Sequence, residues 1–183
     1  MAELLITPSQ TIGPFFKYGL EWPGGDALFA DSVPGRRIRI GGIVTDYKGQ
    51  PVSDALIEFW QADAAGRIGA HEGEASGGFG RVPTDAAGRY AINTIYPGAV
   101  PGADGKMQAP HILVVMFARG LLAQVVSRIY FEGEASNEGD PVLALCGPRA
   151  TTLIAKRDAA AGDGYAWNVR LQGPDETVFF DVG

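Results

Sequence analysis

The sequence contains very little cysteine, no long apolar run and no excess of basic residues. Its single cysteine, Cys146, cannot form a disulfide within the chain. The N-terminus lacks the basic start and long apolar stretch of a secretory signal, so we expect a cytoplasmic location. The longest strongly apolar run, residues 112–118, is much shorter than the about 20 residues of a membrane-spanning helix. We therefore expect no membrane contact.

The charge balance is acidic. Fifteen Lys and Arg residues stand against 21 Asp and Glu residues, which gives a net charge of -6 and a pI near 4.9. Proteins that hold nucleic acid need positive charge to displace the counterions of the phosphates. The composition therefore excludes nucleic acid as an expected partner.

Turn-forming residues and short alternating segments are abundant. The chain has 26 Gly and 12 Pro residues, and in residues 56–60 the apolar pair Ile57 and Phe59 alternates with Glu58 and Trp60, as in a half-buried strand. Similar segments predict strands at 37–45, 55–61, 89–95, 111–117, 124–131, 165–171 and 177–182. Seven short strands favour an all-β fold, an antiparallel β-sandwich.

The connections between these strands are also informative. Residues 46–49 and 85–88 each place an Asp three positions before a Gly, a pattern typical of tight chain reversals. Short helical segments are expected within residues 134–146 and 149–156.

The N-terminal region differs in composition from the rest. Residues 1–35 contain four prolines and five glycines without a clear strand pattern. We predict an extended N-terminal arm at 1–35 that contacts a partner chain, followed by one β-sandwich domain at 36–183.

Several motifs carry a family resemblance. Residues 58–67 read Glu-Phe-Trp-Gln-Ala-Asp-Ala-Ala-Gly-Arg, and residues 7–15 read Thr-Pro-Ser-Gln-Thr-Ile-Gly-Pro-Phe. Residues 128–133 read Arg-Ile-Tyr-Phe-Glu-Gly, and residues 176–181 read Glu-Thr-Val-Phe-Phe-Asp. Together the motifs cover essentially the whole chain, and they resemble the intradiol ring-cleaving dioxygenases, which open catechols between their hydroxyl-bearing carbons. The resemblance implies an oxidoreductase with a β-sandwich fold.

Within that family, the arm motif, the C-terminal motif and the short length resemble the α chain of members built from two homologous chains. Those members act on protocatechuate, a catechol that bears a carboxylate, and on O2, and their Fe(III) lies in the β chain. The resemblance therefore implies a homologous iron-bearing β partner and a repeated α–β assembly.

The iron ligands of the family are the sharpest test of this resemblance. They are two tyrosinates and two imidazoles, and anionic oxygen donors suit a hard ferric ion that activates the catecholate. The position of the first tyrosine holds Ile68, and the segment of the second holds Val100. The expected His-x-His pair is reduced to His111 and Leu113. We expect no iron and no catalytic residue in this chain.

The resemblance also implies a role for the arm. Its residues Thr11, Gly13, Pro14 and Phe15 would line one wall of the partner's active site, where Gly and Pro let a stiff backbone approach closely. Arg128 has two interpretations, since a guanidinium can form a surface ion pair or bind the carboxylate of protocatechuate.

The sequence also allows expectations for single residues and two alternative functions. Trp60 and Tyr130 are expected in the core, and His111 is expected to be a hydrogen-bonded residue at a strand end. The first alternative function is a self-sufficient intradiol dioxygenase with a rearranged iron site, since His71, His111 and six tyrosines remain. The second is a metal-free β-sandwich binding module unrelated to catechol cleavage.

Overall fold

The computed structural model describes residues 10–13, 15–69, 77–158 and 162–181. The strands are β1 (Arg37–Thr45), β2 (Leu56–Gln61), β3 (Phe79–Pro83), β4 (Arg89–Ile95), β5 (Val100–Pro101), β6 (Met107–Gln108), β7 (Ile112–Phe117), β8 (Val125–Phe131), β9 (Ile154–Asp158), β10 (Gly164–Ala166) and β11 (Val169–Arg170). The helices are α1 (Phe15–Leu20), α2 (Pro141–Cys146) and the 3₁₀ helices Ala135–Gly139 and Gly147–Leu153. Within these ranges no helix is long and apolar enough to cross a membrane.

The strands form two layers that join at one edge. One layer has the order β3-β2-β7-β8 and is antiparallel throughout. The other contains β4, β1, β10 and β9, with β11 also pairing β1. A parallel pairing of β8 with β9 connects the layers into a nearly barrel-like sandwich. The predicted β-sandwich is confirmed, but β1 also pairs in parallel with β10 and β11, so the strands are not all antiparallel.

Strand periodicity explains the core. In β2, Ile57 and Phe59 are fully buried between the layers, whereas the alternate residues Glu58 and Trp60 point outward. The inward residues of β1, β4 and β7 pack against them in one continuous cluster. Burying each such aliphatic or aromatic side chain contributes about 1.5–3 kcal/mol.

Two chain reversals follow the predicted Asp-to-Gly pattern. The Oδ1 of Asp46 accepts hydrogen bonds from the backbone N–H groups of Lys48 and Gln50, both at 2.8 Å. Asp85 does the same for residues 87 and 89, also at 2.8 Å. The glycines that end the two turns have φ values of +76° and +70°, a region that favours glycine.

The N-terminal segment is more folded than the extended arm predicted for residues 1–35. It contains α1, and three of its later residues, Leu28, Phe29 and Val33, are buried in the sandwich core. The Nη2 of Arg37 donates to the carbonyl oxygens of residues 30, 31 and 33 at 2.8–2.9 Å, which fastens this stretch to β1. Apolar residues 28, 29 and 33 therefore pack as part of the domain.

Candidate functional site

A third Asp-to-Gly turn shapes the candidate site. The Oδ1 of Asp63 accepts from the N–H groups of residues 65 and 67, and its Oδ2 is bound by the guanidinium of Arg67. Although burial opposes ionisation, the hydrogen bonds from Arg67 keep the pKa of Asp63 below its ordinary value. The turn therefore has a carboxylate at its centre over most of the pH range.

Glycine contacts then bring two distant segments together. The N–H of Gly98 donates to the Asp63 carbonyl oxygen at 2.8 Å. Gly66 lies so close to the Ala99 carbonyl oxygen that a Cβ at this position would collide with it. This backbone contact places Ile68, just after the turn, beside Val100 at the start of β5.

The register of the sheet supplies the other side of the site. Leu113 of β7 lies opposite Trp60 of β2 and Arg128 of β8, so the three side chains form a row on the outer face of the sheet. Trp60 is 48% exposed there, and the prediction that it lies in the core is wrong. Its neighbour Phe59 points into the core, and the alternation of the strand turns Trp60 outward.

These segments enclose a cavity of about 410 Å³ on the outer face of the sheet. Side chains that line it are Trp60, Ile68, Val100, His111, Leu113, Val115 and Arg128. The three positions at which the sequence departs from the family's iron ligands, Ile68, Val100 and Leu113, thus meet the retained His111 at one place. The cavity wall is predominantly apolar, with one cation and one imidazole.

His111 is held by a hydrogen bond within the protein. Its Nδ1 lies 2.8 Å from the Ala109 carbonyl oxygen, and because a carbonyl can only accept, Nδ1 carries the proton. Burial lowers the pKa of His111, and the charge of Arg128 lowers it further against the opposing hydrogen bond. The expected hydrogen-bonded histidine at a strand end is confirmed, and its neutral ring keeps Nε2 as an acceptor.

The side chains of the cavity do not fit a ferric ion. Ile68, Val100 and Leu113 have no donor atom, and His111 provides one nitrogen. Tyr130 lies near the imidazole, with 5.5 Å between the ring centroids, but burial raises its pKa and so disfavours a tyrosinate. Across the described ranges, no three His, Cys, Asp or Glu side chains form a cluster that could hold a metal. His71 lies outside the described residues.

Arg128 is the cation of the cavity. Its Nη1 donates to Gln108 Oε1 at 2.9 Å and to the Tyr130 hydroxyl at 3.3 Å. The Tyr130 hydroxyl in turn donates to Asp140 Oδ1 at 3.1 Å. In the part of the chain that the structure describes, Arg128 has no ion-pair partner, and its Nε and Nη2 have no acceptor. Tyr130 is fully buried, as expected, beneath α2 and the adjacent 3₁₀ helix.

The arm residues lie at a different place from Arg128. Thr11 Oγ1 accepts from the Gly120 N–H at 2.7 Å, and Phe16 contacts Phe117 with ring centroids 5.1 Å apart. Arg128 pairs with Leu113, near the opposite end of β7 and about 13 Å away along the strand. The structure therefore does not bring Arg128 together with the arm.

Two of the described arm residues, Gly13 and Phe15, are exposed. Gly13 has open space around it, and Phe15 is 82% exposed. Pro14 lies outside the described residues. The guanidinium nearest in sequence to the Thr11 contact belongs to Arg119, which no sequence motif marked as a site residue. It lies beside Gly120 and pairs with Asp54 at 2.9 Å. A contact between the arm and residues 117–124 could not be inferred from spacing, because the two segments are about 110 residues apart.

The fold and the composition of this site agree with comparisons to known proteins. A family model described as Dioxygenase matches residues 13–173. The chain belongs to the intradiol ring-cleavage dioxygenase family. The expectation from its motifs is thereby confirmed.

Individual relatives narrow the resemblance. The chain is 45% identical to the protocatechuate 3,4-dioxygenase alpha chain of Burkholderia cepacia, with 100% of both chains covered. It is 32% identical to the beta chain of that enzyme from the same organism, over 78% of this chain and 67% of the relative. Among solved structures, the dioxygenase domain of a carbohydrate-binding fusion protein from Streptomyces sp. SirexAA-E superposes with a TM-score of 0.67 at 30% identity, covering 92% of this chain and 99% of that one.

Proposed function

We propose that this chain is the non-iron subunit of a two-chain intradiol dioxygenase that converts protocatechuate and O2 to 3-carboxy-cis,cis-muconate. The Fe(III) is bound by a homologous β chain, and the α and β chains form a repeated assembly. One observation carries this proposal: the three alkyl side chains at ligand positions, Ile68, Val100 and Leu113, converge on one cavity with a single imidazole. A chain with that donor set needs its chemistry supplied by a partner.

In this assembly the N-terminal arm contributes to the partner's active site. Residues Thr11, Gly13, Pro14 and Phe15 form one wall of the partner's active site. This role is supported by the way the arm is anchored: Lys17 Nζ donates to the Thr84 carbonyl oxygen at 2.7 Å, while Phe15 and Tyr18 project outward from α1 at 82% and 71% exposure. Exposed side chains on an anchored helix are suited to contact a second chain.

Arg119 is the cation suited to serve that wall. It follows β7 at the end where Thr11 contacts Gly120, and its side chain is 67% exposed. We assign it to recognition of the carboxylate of protocatechuate in the partner's site. Arg119→Gln should cost about 1.5–3 kcal/mol in kcat/KM for protocatechuate and little for catechol, which lacks the carboxylate. Equal losses on the two substrates would contradict this assignment.

Oxygen consumption tests the function itself. This chain, its β partner and the co-purified pair would each be supplied with protocatechuate in an oxygen electrode. We expect activity from the pair and none from this chain alone. Turnover by this chain alone would support the self-sufficient alternative, and a pair no more active than β alone would show that this chain contributes nothing to the reaction.

A matched pair of surface variants tests the arm. Phe15 and Leu145 are exposed to similar extents, 82% and 87%, but Leu145 lies on α2 rather than on the arm. Phe15→Ser should lower kcat/KM of the pair, because it removes part of the proposed wall. Leu145→Ser controls for the loss of an exposed apolar side chain, and an equal effect of both variants would count against the wall.

A further inference from the structure

The cavity has features of a ligand site although it lacks the donors for iron. Its volume of about 410 Å³ falls within the range of small-molecule pockets, about 300–1,000 Å³. Leu113, Val115 and Trp60 provide a flat apolar wall on the outer face of the sheet. Such a wall favours a planar ring over a flexible or fully polar ligand.

Arg128 provides a reason for the ligand to be anionic. It is half-buried at the cavity wall, and in the described ranges no carboxylate pairs with it. Gln108 and Tyr130 occupy its Nη1 and hold the guanidinium in place, which leaves Nε and Nη2 as adjacent donors. Two adjacent N–H groups match the two oxygens of a carboxylate.

His111 adds a second polar contact. Its Nδ1–H donates a hydrogen bond to the Ala109 carbonyl oxygen, so Nε2 of the neutral ring can accept a hydrogen bond. A hydroxyl group on the ligand is the natural donor to this nitrogen. His111 immediately precedes β7 and Arg128 lies on the adjacent strand β8, so the acceptor and the cation lie on neighbouring strands of one sheet.

We propose that this cavity binds a hydroxylated aromatic carboxylate without cleaving it. Arg128 binds the carboxylate, His111 accepts from a ring hydroxyl, and Trp60 with Leu113 contacts the ring. The assembly would then hold two sites for such acids in each α–β pair, a reactive one at iron and a silent one in this chain. The cavity belongs to this chain alone, but the assembly used to test it rests on the proposed function.

Counting of binding sites tests this inference. The co-purified pair would be titrated with 4-hydroxybenzoate by calorimetry under anaerobic conditions, while visible absorption follows the iron site separately. We expect two binding events per pair. One of them, called the silent event, leaves the visible spectrum unchanged. Arg128→Gln should weaken the silent event at least about tenfold, since it removes a charge-assisted contact. Arg39→Gln, an exposed arginine on β1, serves as the control and should retain both events.

A second variant keeps the inference testable if Arg128→Gln does not fold. Ile68 is 76% exposed, so Ile68→Trp can narrow the cavity without disturbing the core, and it should also abolish the silent event. A single event in the unmodified pair, or a silent event that survives both variants, would overturn the proposal. So would loss of the iron-reporting event in Arg128→Gln, which would assign Arg128 to the partner's site. Iron content of the same samples reports on the proposed function independently.

Discussion

At the scale of single residues, metal binding depends on the donor atoms that each side chain offers. Stable binding of a transition metal needs several deprotonated donors in a fixed arrangement. Ile68, Val100 and Leu113 offer alkyl carbon at three points of the cavity, and His111 has already committed one nitrogen to Ala109. The glycines that bring these residues together are as important as the residues themselves.

Gly66 and Gly49 give a matched test of that contact. Both end an Asp-to-Gly turn with φ values of +80° and +76°, but a Cβ at Gly49 meets nothing within 4 Å, whereas one at Gly66 collides with the Ala99 carbonyl oxygen. Gly49→Ala should cost about 1–2 kcal/mol for its backbone conformation. Gly66→Ala should cost about 1–3 kcal/mol more, because the chain must also move apart. Urea midpoints of the co-purified pair measure both; equal losses would mean that the close approach of residues 66 and 99 is not structurally important.

At the scale of elements, one buried carboxylate connects α2 to the sheet. Asp140 caps α2 by accepting from the N–H groups of Val142 and Leu143 at 2.9 and 2.8 Å. Its other oxygen accepts from the Ala109 N–H at 2.8 Å, and Oδ1 also accepts from the Tyr130 hydroxyl. The same residue therefore positions α2, the strand entry that carries His111, and the Tyr130 contact to Arg128.

Removal of this carboxylate should be costly. Asp140→Ala loses a helix cap and leaves buried donors at Ala109 and Tyr130 without acceptors, which together should cost about 2–5 kcal/mol. Asp85→Ala, which loses comparable backbone contacts in an exposed turn, should cost far less. Thermal unfolding of the pair compares the two variants. Similar stability losses would contradict the central position of Asp140.

Some of the strands and turns could be predicted from the sequence and others could not. β1 and β4 have the predicted bounds, and the turns at 46–49 and 85–88 form through the predicted aspartates, because alternation and turn chemistry are local. Residues 154–156, expected to be helical, instead begin β9, which pairs with β8 and with β10. Residues 177–182 were predicted to be a strand, but the described part forms one bridge, at Phe180. Pairing between distant segments decides these cases.

The candidate site likewise has features that the sequence predicts and features that depend on packing. The replaced ligand positions could be identified from motifs, because the residue types are visible in the sequence. The outward orientation of Trp60, the contact of Thr11 with Gly120 and the separation of Arg128 from the arm depend on three-dimensional packing. The sequence alone could not distinguish these arrangements.

At the scale of the whole molecule, large apolar side chains are exposed both on the arm and on the loop that the arm contacts. Phe15 and Tyr18 project from α1, and Leu122 is exposed in the loop against which the arm lies. Exposed large apolar side chains on neighbouring segments are typical of a protein interface. We expect the isolated chain to self-associate and to bind a hydrophobic dye such as ANS, and both properties should be lost in the pair. An isolated chain that elutes as a monomer in size-exclusion chromatography and binds no dye would contradict this expectation.

The location of iron is the most direct test of the whole account. The chain would be purified alone and with its β partner, and iron would be counted per polypeptide by elemental analysis. We predict no iron in the isolated chain, which should be colourless, and one iron per α–β pair with the visible absorption of ferric tyrosinate. One iron bound per isolated chain would contradict the division of labour between the two subunits.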